Sequence, residues 1–334
     1  MRRRSLLLAA VPAGLVTLAG CDSDSLDPNS PEASPSPSAS ATPPPKIVDG
    51  PLPAITEGRK FGEKPTVAKG PGTPSKNLAV RTVIAGGGRT VAENEFIRAD
   101  YLGQIWETGK VFDNSYDRKR PLVMQLAQGS IIDGWRYALQ GKKTGSRVEI
   151  AVPPAWGYGA SGNPQAGIKG TDTLVFVIDL LESFNSGSSA KGTPVPQTDA
   201  ALPEVGTGTD GKAPKVTVPK TDPPKKLVSE YVLEGDGPAL KADQTVLCQF
   251  QGLVWDGGKT FERTYGSGRL SQFSLKQMRE VVKGLAQGLT GKKVGSRVLI
   301  VVPPELAYGD NPPGGGAIKK GSTLVFTVDI LAAM

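Results

Sequence analysis

Two polar side chains sit in apolar company where a small cleft could form. Asp113 follows Phe112 directly, and Tyr158 lies in the run Pro153-Pro154-Ala155-Trp156-Gly157-Tyr158-Gly159. Around them Trp135, Ile131, Ile132 and Phe176 supply apolar surface. Taken singly, Phe112, Trp135 and Phe176 read as ordinary core. A carboxylate and a phenol converging on such a wall make the usual form of a small binding site. Histidine is absent, which excludes Ser-His-Asp and Cys-His nucleophile systems and all histidine-ligated metal sites. The two cysteines, Cys21 and Cys248, are too few for a thiolate zinc site or a disulfide framework. The chemistry left to this chain works through shape, an apolar surrounding and a few hydrogen bonds, and no cofactor is expected.

The elements that must position these residues occur twice. Pro65, Leu78, Gly103, Trp106, Lys110 and Phe112 return 149 positions later as Pro214, Leu227, Gly252, Trp255, Lys259 and Phe261. An inserted residue near Lys276 then moves the offset to 150, so that Tyr158-Gly159 and Thr173–Phe176 reappear as Tyr308-Gly309 and Thr323–Phe326. The chain of 334 residues is an internal duplication, two domains of ordinary size. In each copy the periodicity is mostly that of strands. Arg147–Val152 alternates, as a half-buried strand does, and Leu174–Leu181 is a longer apolar run, more fully covered. Glu107–Lys110 and Asp256–Lys259 read as hairpin turns. One short helix is predicted, with Ile131, Ile132, Trp135 and Leu139 on one face and Ser130 as N-cap, matched by Val281, Val282, Leu285 and Leu289. The expected fold class is α+β: two domains, each a curled antiparallel β-sheet packed on one short α-helix.

The second copy keeps Phe261, Val282, Tyr308 and Phe326 but alters their polar company. Phe250 stands where Tyr101 does, Glu262 for Asp113, Leu285 for Trp135 and Ser267 for Arg118. Cys248, in the alternating run Val246–Phe250, reads as buried packing.

The ends and joints have a different composition. Arg2–Arg4 precede an apolar stretch of 13 residues, Leu6 to Leu18, shorter than the ~20 needed to span a bilayer. A charged start, a short apolar core and small residues at its end form an export signal over residues 1–20. The closing Leu18-Ala19-Gly20-Cys21 resembles the lipobox of bacterial lipoproteins, which implies lipidation at Cys21 and a protein held on the outer face of the bacterial cell membrane. Residues 21–60, rich in Ser, Pro and Ala, are expected to be a disordered tether, and residues 185–212 a flexible linker. The domains are then expected at 61–184 and 213–334. Lys and Arg number 39 against 32 Asp and Glu, and three of those cations belong to the leader. The small remaining excess reads as ordinary surface, not as a nucleic-acid site.

In their order, Phe112-Asp113, Ile131-Ile132 with Trp135, Tyr158-Gly159 and the strand Thr173–Phe176 resemble the FKBP-type peptidyl-prolyl cis-trans isomerases. The likeness extends over about residues 64–184 and again over 213–333. It implies that Trp135 floors a proline-ring pocket walled by Tyr101, Phe112, Ile132 and Phe176. It further implies that the Ile132 N–H and the Tyr158 hydroxyl bind ligand carbonyls, and that Asp113, held by Arg118, faces the carbonyl before the proline. Met124, Ile131 and Ile168 would complete the binding surface, with Phe261, Glu262, Val282, Leu285, Tyr308 and Phe326 as the second set. Where the family often has a histidine after the tyrosine, this chain has Gly162-Asn163-Pro164. The implied ligands are Xaa-Pro segments of unfolded or exported proteins, and macrolide immunosuppressants. Two readings compete with a folding catalyst: a surface-tethered chaperone that holds proline-containing segments with little turnover, and a scaffolding lipoprotein. The altered second copy leaves room for the first of these.

Overall fold

The computed structural model describes residues 44–313 and 316–334. The leader, Cys21 and the tether up to residue 43 lie outside the described residues.

The first repeat contains β1 (Ile47–Val48), β2 (Ile55–Glu57), β3 (Thr66–Val67), β4 (Leu78–Ile84), β5 (Phe96–Ile105), β6 (Val111–Asn114), β7 (Leu122–Gln125), α1 (Asp133–Leu139), β8 (Arg147–Val152) and β9 (Leu174–Phe184). Its main sheet runs β1-β4-β8-β9-β5-β6, antiparallel except for the short β1–β4 pair, and β7 joins β5 beside β6. The second repeat contains β10 (Thr193–Pro194), β11 (Glu204–Val205), β12 (Val216–Thr217), β13 (Val228–Glu234), β14 (Thr245–Val254), β15 (Thr260–Arg263), β16 (Ser271–Ser274), α2 (Leu275–Val281), α3 (Lys283–Leu289), β17 (Arg297–Val302) and β18 (Leu324–Ala333). Its sheet order, β10-β13-β17-β18-β14-β15 with β16 on β14, matches the first. The α+β class holds for both repeats.

Each sheet has two covered faces. On the inner face the helix packs over Ile97, Val148, Ile150, Ile178 and Leu180, all fully buried. Contact is close enough that a Cβ on Gly134 of α1 would lie 2.5 Å from Val152, and one on Gly284 of α3 2.4 Å from Val302. On the outer face lies a strap that precedes each repeat. The β2–β3 hairpin, with Val48 and Leu52, covers Ala79, Leu102, Ala151 and Val175, and the β11–β12 hairpin with Leu202 covers Leu253, Leu299, Val301 and Val325. The Trp106 indole N–H donates to Gly72 O at 3.1 Å and that of Trp255 to Thr221 O at 3.0 Å, each fastening a strap to its sheet.

The straps correct three expectations. Residues 44–60 are not tether: Ile47, Val48, Leu52 and Ile55 give that stretch enough apolar surface to dock. Residues 185–212 are not a flexible linker but part of the second repeat. Lys191 and Gly192 N–H groups donate to Gly295 O, Ala190 N–H donates to Asp329 Oδ2 at 3.0 Å, and Val205 is buried. Strand β8 does not alternate in exposure. All six of its residues are buried, because the strap takes the face left to water in the sequence reading.

Both straps close on a buried ion pair. Arg147 and Asp179 make two bonds of 2.7 Å with both side chains wholly buried. Arg147 also donates to Gly58 O and Glu63 O in its strap. Arg297 pairs with Asp329 at 2.6 and 2.8 Å and donates to Gly206 O and Gly208 O. A buried charge pair needs such additional partners to offset its desolvation.

The helices also differ from expectation. Ser130 does not cap α1; the N-cap is Ile132, with no side-chain cap. The second repeat has two short helices meeting at Val282, whose φ of −133° interrupts the spiral. Ser274 caps the extra helix, accepting from Gln277 N, and Val281 is exposed on it, not on the buried face. The repeats touch through Val123 and Phe184 of the first and Leu247, Leu331 and Ala332 of the second. Within the second repeat, Gln249 Nε2 donates to Ser186 O at 2.6 Å, just past the end of β9.

Candidate functional site

The first cleft is built around four aromatic rings on four elements. Trp135 on α1, 2% exposed, meets Tyr101 of β5 and Phe176 of β9 edge-on, each at 5.4 Å between centroids. Phe112 of β6 meets Phe176 edge-on at 5.7 Å. Offset and edge-on pairs of this kind hold rings in fixed orientation. Register explains the arrangement: Gly103 on β5 stands opposite Phe176 and Asp113. A Cβ there would lie 2.7 Å from the Phe112 ring and 2.8 Å from that of Phe176, so only glycine lets both rings close over β5.

At the rim, Asp113 accepts hydrogen bonds from the Tyr101 hydroxyl on one oxygen and from Arg118 Nη1 on the other. Arg118 Nη2 donates to the Tyr101 oxygen at 3.0 Å, which closes a triangle. Burial pushes the Asp113 carboxyl upwards, but the bonds from Tyr101 and Arg118 outweigh it and hold the group below the ordinary aspartate range. Burial and the Asp113 bond push the Tyr101 hydroxyl up to about 12. Behind this rim Ser115, wholly buried, accepts from Tyr101 N at 2.9 Å and donates to Asp100 at 2.6 Å. Sequence reasoning missed Ser115. Its signal was the hydroxyl Thr264 at the matched position, which accepts from Phe250 N at 2.8 Å.

Other expected residues fall around these rings with different exposures. Ile131 and Ile132 are half-buried where the chain enters α1, and Met124 is half-buried on β7 opposite Ile97. Ile168 is 3% exposed and belongs to the core cluster that contains Trp135. Tyr158 is 39% exposed. Its loop is placed by Trp156, which stacks edge-on against Tyr137 of α1 at 5.9 Å. That anchor was also missed, although the sequence shows its absence from the second repeat, where Leu306 and Gln287 occupy the matched positions.

The second cleft keeps the apolar half of this design. Phe261 meets Phe326 edge-on at 5.8 Å over Gly252, and Phe250, Val282, Leu285 and Phe326 are buried. Its polar rim is open: Glu262 and Ser267 are exposed, and the Ser267 hydroxyl donates to Thr264 O instead. Burial raises the Tyr308 hydroxyl above the usual phenol value, with the Glu262 charge adding to the shift. Cys248 is wholly buried, and burial pushes its thiol well up, as inert packing requires.

The profile of the FKBP-type peptidyl-prolyl cis-trans isomerases matches residues 87–181 and 237–331, one stretch in each repeat. An FK506-binding protein of Streptomyces anulatus is 40% identical over 119 residues, covering 36% of this chain and 95% of that protein. The human peptidyl-prolyl cis-trans isomerase FKBP9 is 29% identical over 245 residues, 73% of this chain, so that the chain spans 35% of the human protein's length. Among solved structures, FkpA from Escherichia coli is 37% identical over 35% of this chain and 52% of its own, with a TM-score of 0.30. With profile matches over more than half of its length and one complete set of elements around each, the chain belongs to the FKBP-type peptidyl-prolyl cis-trans isomerase family, as two family domains in tandem.

Proposed function

We propose that the chain assists the folding of exported proteins from the outer face of the bacterial membrane, and that its first cleft does most of the catalysis. The observation that carries this ranking is the Tyr101–Asp113–Arg118 triangle beside the Trp135 floor, which only the first repeat possesses.

The peptide C–N bond resists rotation by ~18–20 kcal/mol because resonance stabilises the planar amide. The planar form is the more polar one, so transfer from water into an aromatic cleft weakens its advantage over the twisted form. In this reading Trp135, Phe112 and Phe176 surround the proline ring. The Ile132 N–H and the Tyr158 hydroxyl hold ligand carbonyls, and the fixed Asp113 carboxylate faces the carbonyl before the proline. Groups already in place at the twisted geometry do not need to reorganise during reaction. Each ~1.4 kcal/mol of preferential stabilisation is tenfold in rate. Macrolide immunosuppressants would occupy the same cleft.

The test uses the whole chain with one rim altered at a time. Tyr158→Phe with Asp113→Asn is expected to lower kcat/KM on Xaa-Pro peptides at least ~tenfold, and Tyr308→Phe with Glu262→Gln less than ~twofold. Equal losses would end the ranking. A chain that binds Xaa-Pro peptides but does not accelerate their isomerisation would favour the chaperone reading, which the open rim of the second cleft supports.

Anchoring rests on Leu18-Ala19-Gly20-Cys21. Stable attachment needs at least two acyl chains, since one gives only marginal binding. Cys21→Ala is expected to release the protein from the membrane fraction or leave it unprocessed, and unchanged fractionation would remove the anchor from this reading.

A further inference from the structure

The rim of the first cleft is also the edge of a second concavity. A groove of about 480 Å³ lies where the two repeats meet, and Arg118 lines it as well as holding Asp113. That volume is within the ~300–1,000 Å³ of ordinary ligand sites. Val123, Phe184 and Leu331, from the apolar contact between the repeats, form part of its floor.

Charge around the groove is one-sided. Lys119 and Arg120 stand on the first repeat and Lys241 on the second, all exposed, and none has an ion-pair partner among the described residues. Of the lining carboxylates, Glu182 is already held by Arg98 and by Lys191, each at 2.8 Å. Asp236 is the other. Cations therefore exceed anions, over an apolar floor, immediately beside the cleft that takes the proline.

We propose that this groove binds an acidic stretch of the same polypeptide whose Xaa-Pro bond occupies the first cleft. The inference rests on the first cleft being the working one, and it adds what that cleft prefers beside the proline. An extended peptide with carboxylates satisfies both features of the groove: side chains reach the cations while aliphatic stems lie on Val123 and Leu331. The groove is concave and floored with apolar side chains. A bilayer surface or a nucleic-acid backbone would meet its basic rim but leave that floor unfilled. Because the two sites are contiguous, occupancy of the groove raises the local concentration of the proline at the cleft. It lowers KM and leaves kcat unchanged.

The test compares two peptides on the whole chain. They share one Xaa-Pro core, and one is extended by a run of glutamates, the other by glutamines. KM is expected to be about three- to tenfold lower for the glutamate peptide. The difference should vanish in about 0.5 M NaCl and in Lys119→Gln with Lys241→Gln, which should turn over a short neutral peptide normally. A second arm does not depend on turnover. A fluorescein-labelled glutamate peptide without proline should bind the wild type, by anisotropy, and bind the double variant several-fold more weakly. An inactive first cleft would abolish the first signal and leave the second. Equal KM values in an active chain, unchanged binding by the variant, or displacement of the probe by anionic vesicles or duplex DNA more readily than by unlabelled peptide would each overturn the proposal.

Discussion

The Tyr101 hydroxyl donates its hydrogen bond to the same Asp113 carboxylate that Arg118 clamps from the other side. The phenol is thus part of what fixes the carboxylate, and not only a wall of the cleft. In the second repeat Phe250 fills the same wall position without a hydroxyl, and Glu262 is left exposed.

Removing that hydroxyl has a defined cost. Tyr101→Phe keeps the edge-on contact with Trp135 and deletes one bond to a charged acceptor, worth ~1.5–3 kcal/mol when buried and less at a half-exposed rim. The expected loss in kcat/KM is about three- to tenfold, with Tm nearly unchanged. A variant as active as wild type would show that Arg118 alone suffices to place Asp113.

The pH dependence follows from the same triangle. Asp113 has a folded-state value below its ordinary one, so its ion pair is intact above the ordinary aspartate range and is lost as pH falls through the depressed value. Tyr101 stays protonated until about 12. With no histidine in the chain, kcat/KM should be flat from about pH 5 to 9. Tyr101→Phe removes one of the bonds that hold Asp113 down, so its acid limb should move to higher pH. A bell centred near neutrality in the wild type would place an unrecognised titrating group in the cleft.

Trp135→Leu converts the first floor into that of the second repeat. It removes two edge-on aromatic contacts, each worth ~0.5–1.5 kcal/mol. The expected fall in kcat/KM is about ten- to a hundredfold, accompanied by some loss of stability because the residue is buried. The reciprocal change, Leu285→Trp with Phe250→Tyr, Glu262→Asp and Ser267→Arg, should raise turnover by the second cleft. The readout is a chain whose first rim carries Asp113→Asn and Tyr158→Phe. No gain there would mean that the loop anchored by Trp156, absent from the second repeat, is also required.

The cleft was more legible in the sequence than its supports were. Phe112-Asp113, Trp135, Tyr158 and Phe176 were legible as an ordered set that resembles one family, although each alone reads as core, and the offsets of 149 and 150 fixed the matched positions. The straps were hidden because Ile47, Leu52, Ile55 and Val205 are scattered among Pro, Gly and Ser. Strands of two or three residues leave no periodicity to read. Without the straps, β8 looked half-exposed. Ser130 looked like a cap by residue type alone, whereas the turn geometry places the N-cap at Ile132. Val281 seemed to belong to a buried face because the inserted residue near Lys276 disguised a second helix with its own axis.

Proteolysis separates the two descriptions of residues 185–212. A flexible joint would yield two resistant fragments. Bonds from Lys191, Gly192 and Ala190 into the second repeat predict a single resistant fragment that spans both repeats. Arg297→Met should reverse this: it leaves Asp329 buried without its cation, costs ~3–5 kcal/mol and frees the carbonyls of Gly206 and Gly208. Cleavage between 190 and 212 should then precede global unfolding. An intact fragment from the variant would show that the hairpin alone keeps the strap in place.

The straps also bear on ancestry. Val67, which pairs with Ile55 across the first hairpin, has its counterpart 149 residues on in Val216, which pairs with Val205, and the carbonyls that receive the Trp106 and Trp255 indoles, Gly72 and Thr221, are separated by the same interval. The unit that was copied therefore already possessed its outer layer; the strap was inherited with the sheet and not acquired afterwards from whatever joined the halves. Both repeats carry the buried Arg–Asp clamp, while the mouths of the two clefts differ and the triangle stands only in the first. A gene fragment cut at residue 61 or 213 would divide what descent has kept whole, and the natural seams fall before Ile47 and between Phe184 and Ala190.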